Sequence, residues 1–524
     1  MKKRVALRIL AVCALAILGG VLLGTWRRAP VDFAAATAVD RFPSIRPDYC
    51  GTVIPPNIAP LNFLVEEPGT DCAVRIRAAQ GEAIELRARD FQVVIPMDRW
   101  RKLLDASRGQ ELSIDVCVRD DQGEWRRFRP IVNRIAGSEI DNYLLYRLIR
   151  PIHTVYTDVN IYERDLRSFR ETPVVENRSF GHSCVNCHTP SVNHPDRMLL
   201  QTRGSRDGVN YSGTIVVRDG RIDKIDTRSL FHGGEPEGGR IGKAMAAYSA
   251  WHPNGRIVAY SANDISQFFH AVGEVRDVFD ANSDLALYHL ESNTVTTGPG
   301  ISRPDRLETF PAWSPDGRSL YFCACDRLPK QQYKEIRYDL MRIGYDPDTG
   351  EWGDLETVVS AEDTGKSNTE PRVSPDGKWL LFCMSDYGSF PVYQSSSDLW
   401  LLDVQTGKYD RPPVNSPQSE SWHSWSSNSR WIAFASKRRD GVFGRIYFSY
   451  VDEAGQVHRP FLLPQEDPAF YDRFIKTYSV PELAPVPAPA HSPTLGRALR
   501  LSGTRQDNAS ASETMRIGGH SRDF

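Results

Sequence analysis

The sequence predicts a mainly β protein: a small N-terminal β-sandwich domain, a connector, then a five- to six-bladed β-propeller. Three observations carry that expectation. One pattern recurs four times, as Trp251-His-Pro-Asn-Gly-Arg-Ile-Val-Ala-Tyr260, Trp313-Ser-Pro-Asp-Gly-Arg-Ser-Leu-Tyr-Phe322, Val373-Ser-Pro-Asp-Gly-Lys-Trp-Leu-Leu-Phe382 and Trp425-Ser-Ser-Asn-Ser-Arg-Trp-Ile-Ala-Phe434. The copies stand roughly 50–60 residues apart, an interval that suits four-stranded blades. Ahead of them, short runs alternate apolar and polar residues with the period of a strand. Gly and Pro number 38 and 35, a turn-rich composition that stays below the range of low-complexity chains.

The elements follow in order. Residues 1–28 hold the one long apolar stretch, 5–26, broken only by Arg8, with Lys2, Lys3 and Arg4 before it and Arg27 and Arg28 after it. About 20 apolar residues span a bilayer, and the basic excess ahead of them sets the N-terminus in the cytoplasm. The expectation is a single anchor in the bacterial inner membrane with the rest on its periplasmic side; a cleaved signal with a late site at 34–36 is the alternative. Residues 29–48 read as a linker. Residues 49–136 form the sandwich-like domain, with strands at 61–65, 73–78, 84–88, 92–95, 112–118 and 125–132 and an amphipathic helix at 97–107. Residues 137–200 are the connector, dense in Tyr, Arg, Leu and Ile over 138–180, which reads as helices and extended pieces packed between domains.

The propeller is expected over 201–466. Each repeat is a strand, a Pro-Asp-Gly turn and an aromatic-rich strand, followed by a further pair at 284–296, 338–352, 398–409 or 445–457. A fainter blade precedes them, its outer hairpin at 213–217 and 221–226. The last copy, with Ser427-Asn428-Ser429 in place of Pro-Asp-Gly, weakens the expectation of a turn there. Residues 467–482 suggest a C-terminal helix, and 483–524 a disordered tail.

Charge limits the partners. The 64 basic and 66 acidic residues leave a net charge of -2, which argues against nucleic acid because phosphate binding needs a basic surplus. No Gly-x-Ser-x-Gly elbow, Walker loop or His-Glu-x-x-His helix is present, so no catalytic residue is assigned. Asp264, Asp284, Asp386 and Asp398 could line a channel, although turn and hydrogen-bonding roles fit them better.

The chemistry-bearing motif is Cys184-Val-Asn-Cys187-His188. Cys-x-x-Cys-His is the attachment motif of c-type haem. Two thiols three positions apart on one turn reach two porphyrin vinyl groups, and the adjacent histidine lies under the iron. A disulfide between Cys184 and Cys187 leaves His188 unexplained. A thioredoxin-like pair lacks its βαβ setting, and a zinc site lacks a second Cys-x-x-Cys. One covalent haem c is therefore expected, with thioethers at Cys184 and Cys187 and His188 on the iron. The sixth ligand is open among Met198, His194 and His270, the last in an insertion at 267–282. Cys50, Cys72 and Cys117 leave their disulfide pairing open. Cys323 and Cys383 occupy equivalent repeat positions and read as small core residues, while His252 and His423, in or beside the repeats, read as turn or packing residues.

The Trp/Val-Ser/His-Pro-Asp/Asn-Gly-Arg/Lys repeats resemble those of the TolB-like β-propeller family over roughly residues 200–465. With the haem motif ahead of the propeller, and with Pro55-Pro-Asn-Ile-Ala-Pro-Leu-Asn62, the chain resembles exported bacterial proteins often labelled as cytochrome c biogenesis or TolB-like proteins. That resemblance implies an architecture and no settled activity. The resulting expectation is an anchored monohaem protein that transfers electrons or senses redox state, with the propeller as docking surface for a redox or envelope partner. A cell-envelope scaffold or ligand-binding propeller with structural haem, and a haem enzyme with an open iron position, are the alternatives.

Overall fold

The computed structural model describes residues 30–150, 158–206, 209–225, 245–268, 277–489, 492–503 and 514–516. The apolar stretch 5–26 and His270 lie outside the described residues. Among those described, no helix is long and apolar enough to cross a membrane.

The repeats build their hairpins by one device. Ser314 Oγ and the Arg318 N–H both hydrogen-bond Asp316 Oδ1, the Ser319 N–H donates back to Ser314 Oγ, and Gly317 takes the left-handed φ of 72° that the turn requires. Ser374 and Asp376 repeat these bonds. The divergent copy keeps them too: Ser426 pairs with Asn428, and Ser429 stands at φ 60° where the others have glycine. Asparagine supplies the same acceptor as aspartate, so the turn survives the loss of Pro, Asp and Gly.

Six sheets, each built on four antiparallel strands, succeed one another as propeller blades do. Blade 1 is Cys184–Ser191, His194–Arg203, Gly213–Arg218 and Arg221–Ile225, with Thr514–Arg516 added at its edge. Blade 2 is Met245–Trp251, Ile257–Phe268, Asp277–His289 and Thr294–Thr296. Blades 3, 4 and 5 begin with Arg306–Trp313, Ser367–Val373 and Glu420–Trp425 and end with Trp352–Val359, Tyr409–Asp410 and Phe461–Leu462. Blade 6 is composite: Thr477–Ala484 from the C-terminal part pairs with Tyr143–Ile149, which continues into Asn160–Asp165 and Glu171–Glu176. The six inner strands contact one another in cyclic order and close a ring.

Three expectations are corrected here. Among the described residues of 138–180, the Tyr/Leu/Ile-rich runs are not pieces packed between domains but the three outer strands of blade 6. The helix expected over 467–482 is reduced to Phe470–Arg473, because Thr477–Ala484, buried throughout, is the inner strand of the same blade. The tail beyond 483 contains the helix Ser492–Gly503, whose Leu495 is fully buried in the core of blades 1 and 6.

The N-terminal sheets number two, one of seven strands and one of three. Thr37–Val39, inside the expected linker, pairs in parallel with Trp125–Phe128. The helix Met97–Ala106 turns Trp100, Leu103 and Leu104 inward, and the Trp100 indole donates to the Ile58 carbonyl at 3.0 Å. Cys50, Cys72 and Cys117 are free thiols. Cys72 stands opposite Val118 and Cys117 opposite Ala73, which puts the two sulfurs on opposite faces of the sheet, where no disulfide can form.

Candidate functional site

Each inner strand breaks its pairing at the same place, as it passes the centre of the ring. The register shifts between Asn186 and Thr189, Ala246 and Ser249, Thr309 and Ala312, Thr369 and Arg372, and Ser421 and His423. Blade 6 shifts opposite Leu145 and Arg147. At these bulges Phe310, Glu370, Trp422 and Val480 adopt φ values of 52°, 54°, 48° and 51°, a left-handed conformation that bulky side chains seldom take. The reward is position. Tyr248 and Phe310 meet with ring centroids 4.1 Å apart, and Trp422 lies 5.9 Å from Tyr248 and 6.4 Å from Phe310, so three aromatic rings fill the middle of the ring of blades. Cys187 occupies the corresponding position in blade 1, counting from the register that pairs Pro190 with Met198.

The Cys184-Val-Asn-Cys187-His188 motif therefore lies on a bulged inner strand, not on a single turn. Val185 pairs with Thr202 and is buried in the core between blades 1 and 6, which holds the backbone extended. Three residues of strand span about 10 Å, roughly twice the rise of a helical turn. Cys184 is half-buried, and burial pushes its thiol up while Arg147 and Arg203 partly offset the rise.

His188 is 1% exposed. Burial pushes its imidazole down to about 3, and nearby Arg147 adds to the drop, whereas the Leu145 and Val480 backbone groups beside the ring work against it. Neither ring nitrogen makes a hydrogen bond of good geometry. His423 is its structural equivalent in blade 5, also buried and also held down to about 3 by burial. There the ring is anchored: Nε2 lies 3.0 Å from the Leu381 carbonyl. Leu381 and Leu145 hold the same register position in their blades, opposite Arg372 and Glu482. His188 and His423 thus sit in matching slots against the preceding blade.

A cavity opens between these histidines, lined also by Glu370, Arg372, Trp422 and Glu482. Arg372 pairs with buried Glu482 at 2.6 Å. Burial raises Glu482, an effect that Arg372 opposes, and raises Glu370 to about 7. Met198 is fully buried in the apolar core with Val185 and Leu200. His194 is exposed at the far end of its hairpin. Neither lines the cavity.

Of the four aspartates, Asp386 and Asp398 pair with Lys366 and Arg411, Asp284 accepts from Ser302, and Asp264 accepts from Asn282. None lines the cavity. His252 caps its own turn by accepting from the Asn254 N–H, and its other ring nitrogen faces the Gly317 carbonyl of the next blade. Sequence reasoning missed Glu370 as a site residue. The signal was its place two residues after Asn368, where the other repeats carry an aromatic residue.

The chain is structurally similar to TolB-like and other propeller proteins. A TolB-type protein of Agrobacterium tumefaciens matches at 18% identity, over 62% of this chain and 89% of that one, with a TM-score of 0.33. The Dos1 propeller matches at 14% identity over 52% and 60%, TM-score 0.31. An oligogalacturonate lyase from Vibrio parahaemolyticus matches at 12% over 75% and 94%, TM-score 0.32. Likeness at this level concerns the fold and carries nothing about activity. No family model and no curated protein matches the sequence.

Proposed function

We propose that this chain is an exported, membrane-anchored monohaem protein that carries electrons, with haem c bound through Cys184 and Cys187 and its iron held by His188. The observation that carries the reading is the state of His188: a buried imidazole whose nitrogens have the Leu145 and Val480 backbone beside them but make no hydrogen bond of good geometry, placed directly after the second cysteine of the motif. A buried polar ring so poorly partnered is costly, and a metal ligand is one role that removes the cost. The low proton affinity of the ring keeps it neutral and able to bind iron. When bound, haem c would supply a one-electron couple whose potential depends on the second iron ligand. The chain's part is to orient His188 and to exclude water with the packed rings of Tyr248, Phe310 and Trp422. Met198, His194 and His270 are the candidates for the second ligand, and a redox or envelope protein is the partner.

The extended strand and the match between His188 and His423 favour a second reading, a haem-free scaffold in which His188 locks blade 1 against blade 6. One experiment separates the two. The full chain, made with c-type maturation machinery, is run on a denaturing gel stained for haem peroxidase activity. A stained band at the mass of the chain, lost in Cys184→Ala/Cys187→Ala, is expected. A wild-type chain that folds but never stains would establish the scaffold. In the stained protein, a low-spin spectrum that becomes high-spin in one of Met198→Ala, His194→Ala or His270→Ala identifies the second ligand.

A further inference from the structure

Blades 4 and 5 bring three metal-ligating side chains together inside the molecule. Glu370 comes from the bulge of one inner strand, His423 from that of the next, and Cys383 from Trp379–Ser385 between them. All three are buried, and one ligand atom of each lies within 4.8 Å of the others. Cys383 Sγ is 3.5 Å from Glu370 Oε2 and 3.8 Å from His423 Nδ1. With Zn–S near 2.3 Å and Zn–N or Zn–O near 2.0 Å, the ligands of one tetrahedral zinc ion stand about 3.5 Å apart. Two of the separations match that spacing, and the third is no more than 4.8 Å.

Two further features point the same way. The Leu381 carbonyl can only accept, so the tautomer with the proton on His423 Nε2 satisfies it and leaves an Nδ1 lone pair 3.8 Å from the sulfur, with the Glu370 backbone also beside the ring. Metal-binding histidines are commonly fixed in this way, by a backbone carbonyl on the other nitrogen. Glu370 is 5% exposed, and while its Oε2 accepts the Trp422 N–H at 2.6 Å, its Oε1 takes no hydrogen bond. An idle buried carboxylate oxygen thus stands beside an imidazole lone pair and a thiol that donates to the other carboxylate oxygen.

We propose that Glu370, Cys383 and His423 bind one zinc ion, with a fourth position open to the cavity that Glu370 and His423 line. The mixed sulfur, nitrogen and oxygen set suits zinc. The charges balance: a thiolate and a carboxylate neutralise the divalent cation, and the thiol proton of Cys383, with any proton on Glu370, leaves to solvent as it binds. Arg372 faces the same cavity, and Glu482 answers its charge at 2.6 Å. This site is independent of the haem reading.

The test uses the full chain, stripped with a chelator, dialysed against zinc, and measured by elemental analysis and zinc-edge X-ray absorption. One zinc per chain with a single sulfur neighbour is expected. Cys383→Ser should lose the sulfur signal, and Glu370→Gln should keep it while weakening zinc binding by about tenfold or more. A wild-type chain that retains no zinc overturns the proposal. So does zinc with two or more sulfur neighbours, or a sulfur signal that persists in Cys383→Ser. The wild-type measurement stands even if a variant fails to fold. Iron is counted in the same analysis, so a failure of the haem reading appears separately, as missing iron.

Discussion

Trp425 donates its indole N–H to the Arg372 carbonyl of the preceding blade at 3.0 Å, and Trp251 makes the matching bond to Thr189, also at 3.0 Å. In these two copies the tryptophan that opens the repeat is a clasp between neighbouring inner strands, a bond that the buried Trp313 indole does not make. Glu308 shows the opposite case. It is 1% exposed beside Asp284, and burial first, then that like charge, raise its carboxyl to about 8. Between its ordinary 4.5 and about 8 the folded chain holds a proton that the unfolded chain has released. Stability therefore falls as pH rises through that window. Glu308→Gln should flatten the slope and stabilise the protein above pH 8 by at most about 5 kcal/mol, the order set by 1.4 kcal/mol per pKa unit. Denaturant midpoints at pH 5 and pH 9 check it, and equal pH dependence in both proteins would refute it. Nothing in the sequence marks Glu308, because its burial comes from blade-to-blade packing that no local pattern encodes.

Blade 6 is held by Thr477–Ala484, which exchanges backbone bonds with Tyr143–Ile149 on one side and lies against the inner strands of blades 5 and 1. A chain ending at 476 should lose this strand and expose the edge of Tyr143–Ile149. Unpaired edges of that kind recruit other chains. Loss of near-ultraviolet circular dichroism and a shift to aggregates on size-exclusion chromatography are expected, and a truncated chain that stays monomeric with native spectra would contradict the account. The repeated hairpins were legible because each carries its own turn. The closing strand has no turn after it, so its half-motif, Val480-Pro-Glu-Leu483, passed unnoticed beside Phe310-Pro-Ala-Trp313 and Glu370-Pro-Arg-Val373. The Cys-x-x-Cys-His motif stood out in the sequence but its conformation did not, since Cys187-His-Thr-Pro190 is the same half-motif in blade 1, and strand register fixes its backbone.

At the scale of the molecule, the N-terminal sheets and the propeller share one continuous core that includes Trp100, Trp425 and Trp431. Polar contacts seal the junction. Buried Asp141 accepts from the Ser427 N–H at 2.8 Å and from its hydroxyl at 2.5 Å, the Trp431 indole donates to Ser138 at 3.3 Å, and Asn62 donates to Glu466 at 2.9 Å. The two parts should unfold together. Asp141→Ala removes both hydrogen bonds from Ser427, at a cost of about 1–3 kcal/mol. Tryptophan fluorescence and proteolysis within 49–136 should then shift by the same amount. Separate transitions would show that the parts are independent domains.

The composite blade also sets a timetable. A chain made from its N-terminus presents Tyr143–Ile149 early and the strand that completes it late. Joining strands so distant in sequence is slow, because loop-closure entropy must be met first. Until then the ring is a horseshoe, open beside blade 1, with the Cys184–His188 strand along its free edge. Any group destined for the interior has that interval in which to enter, and the arrival of residue 484 ends it.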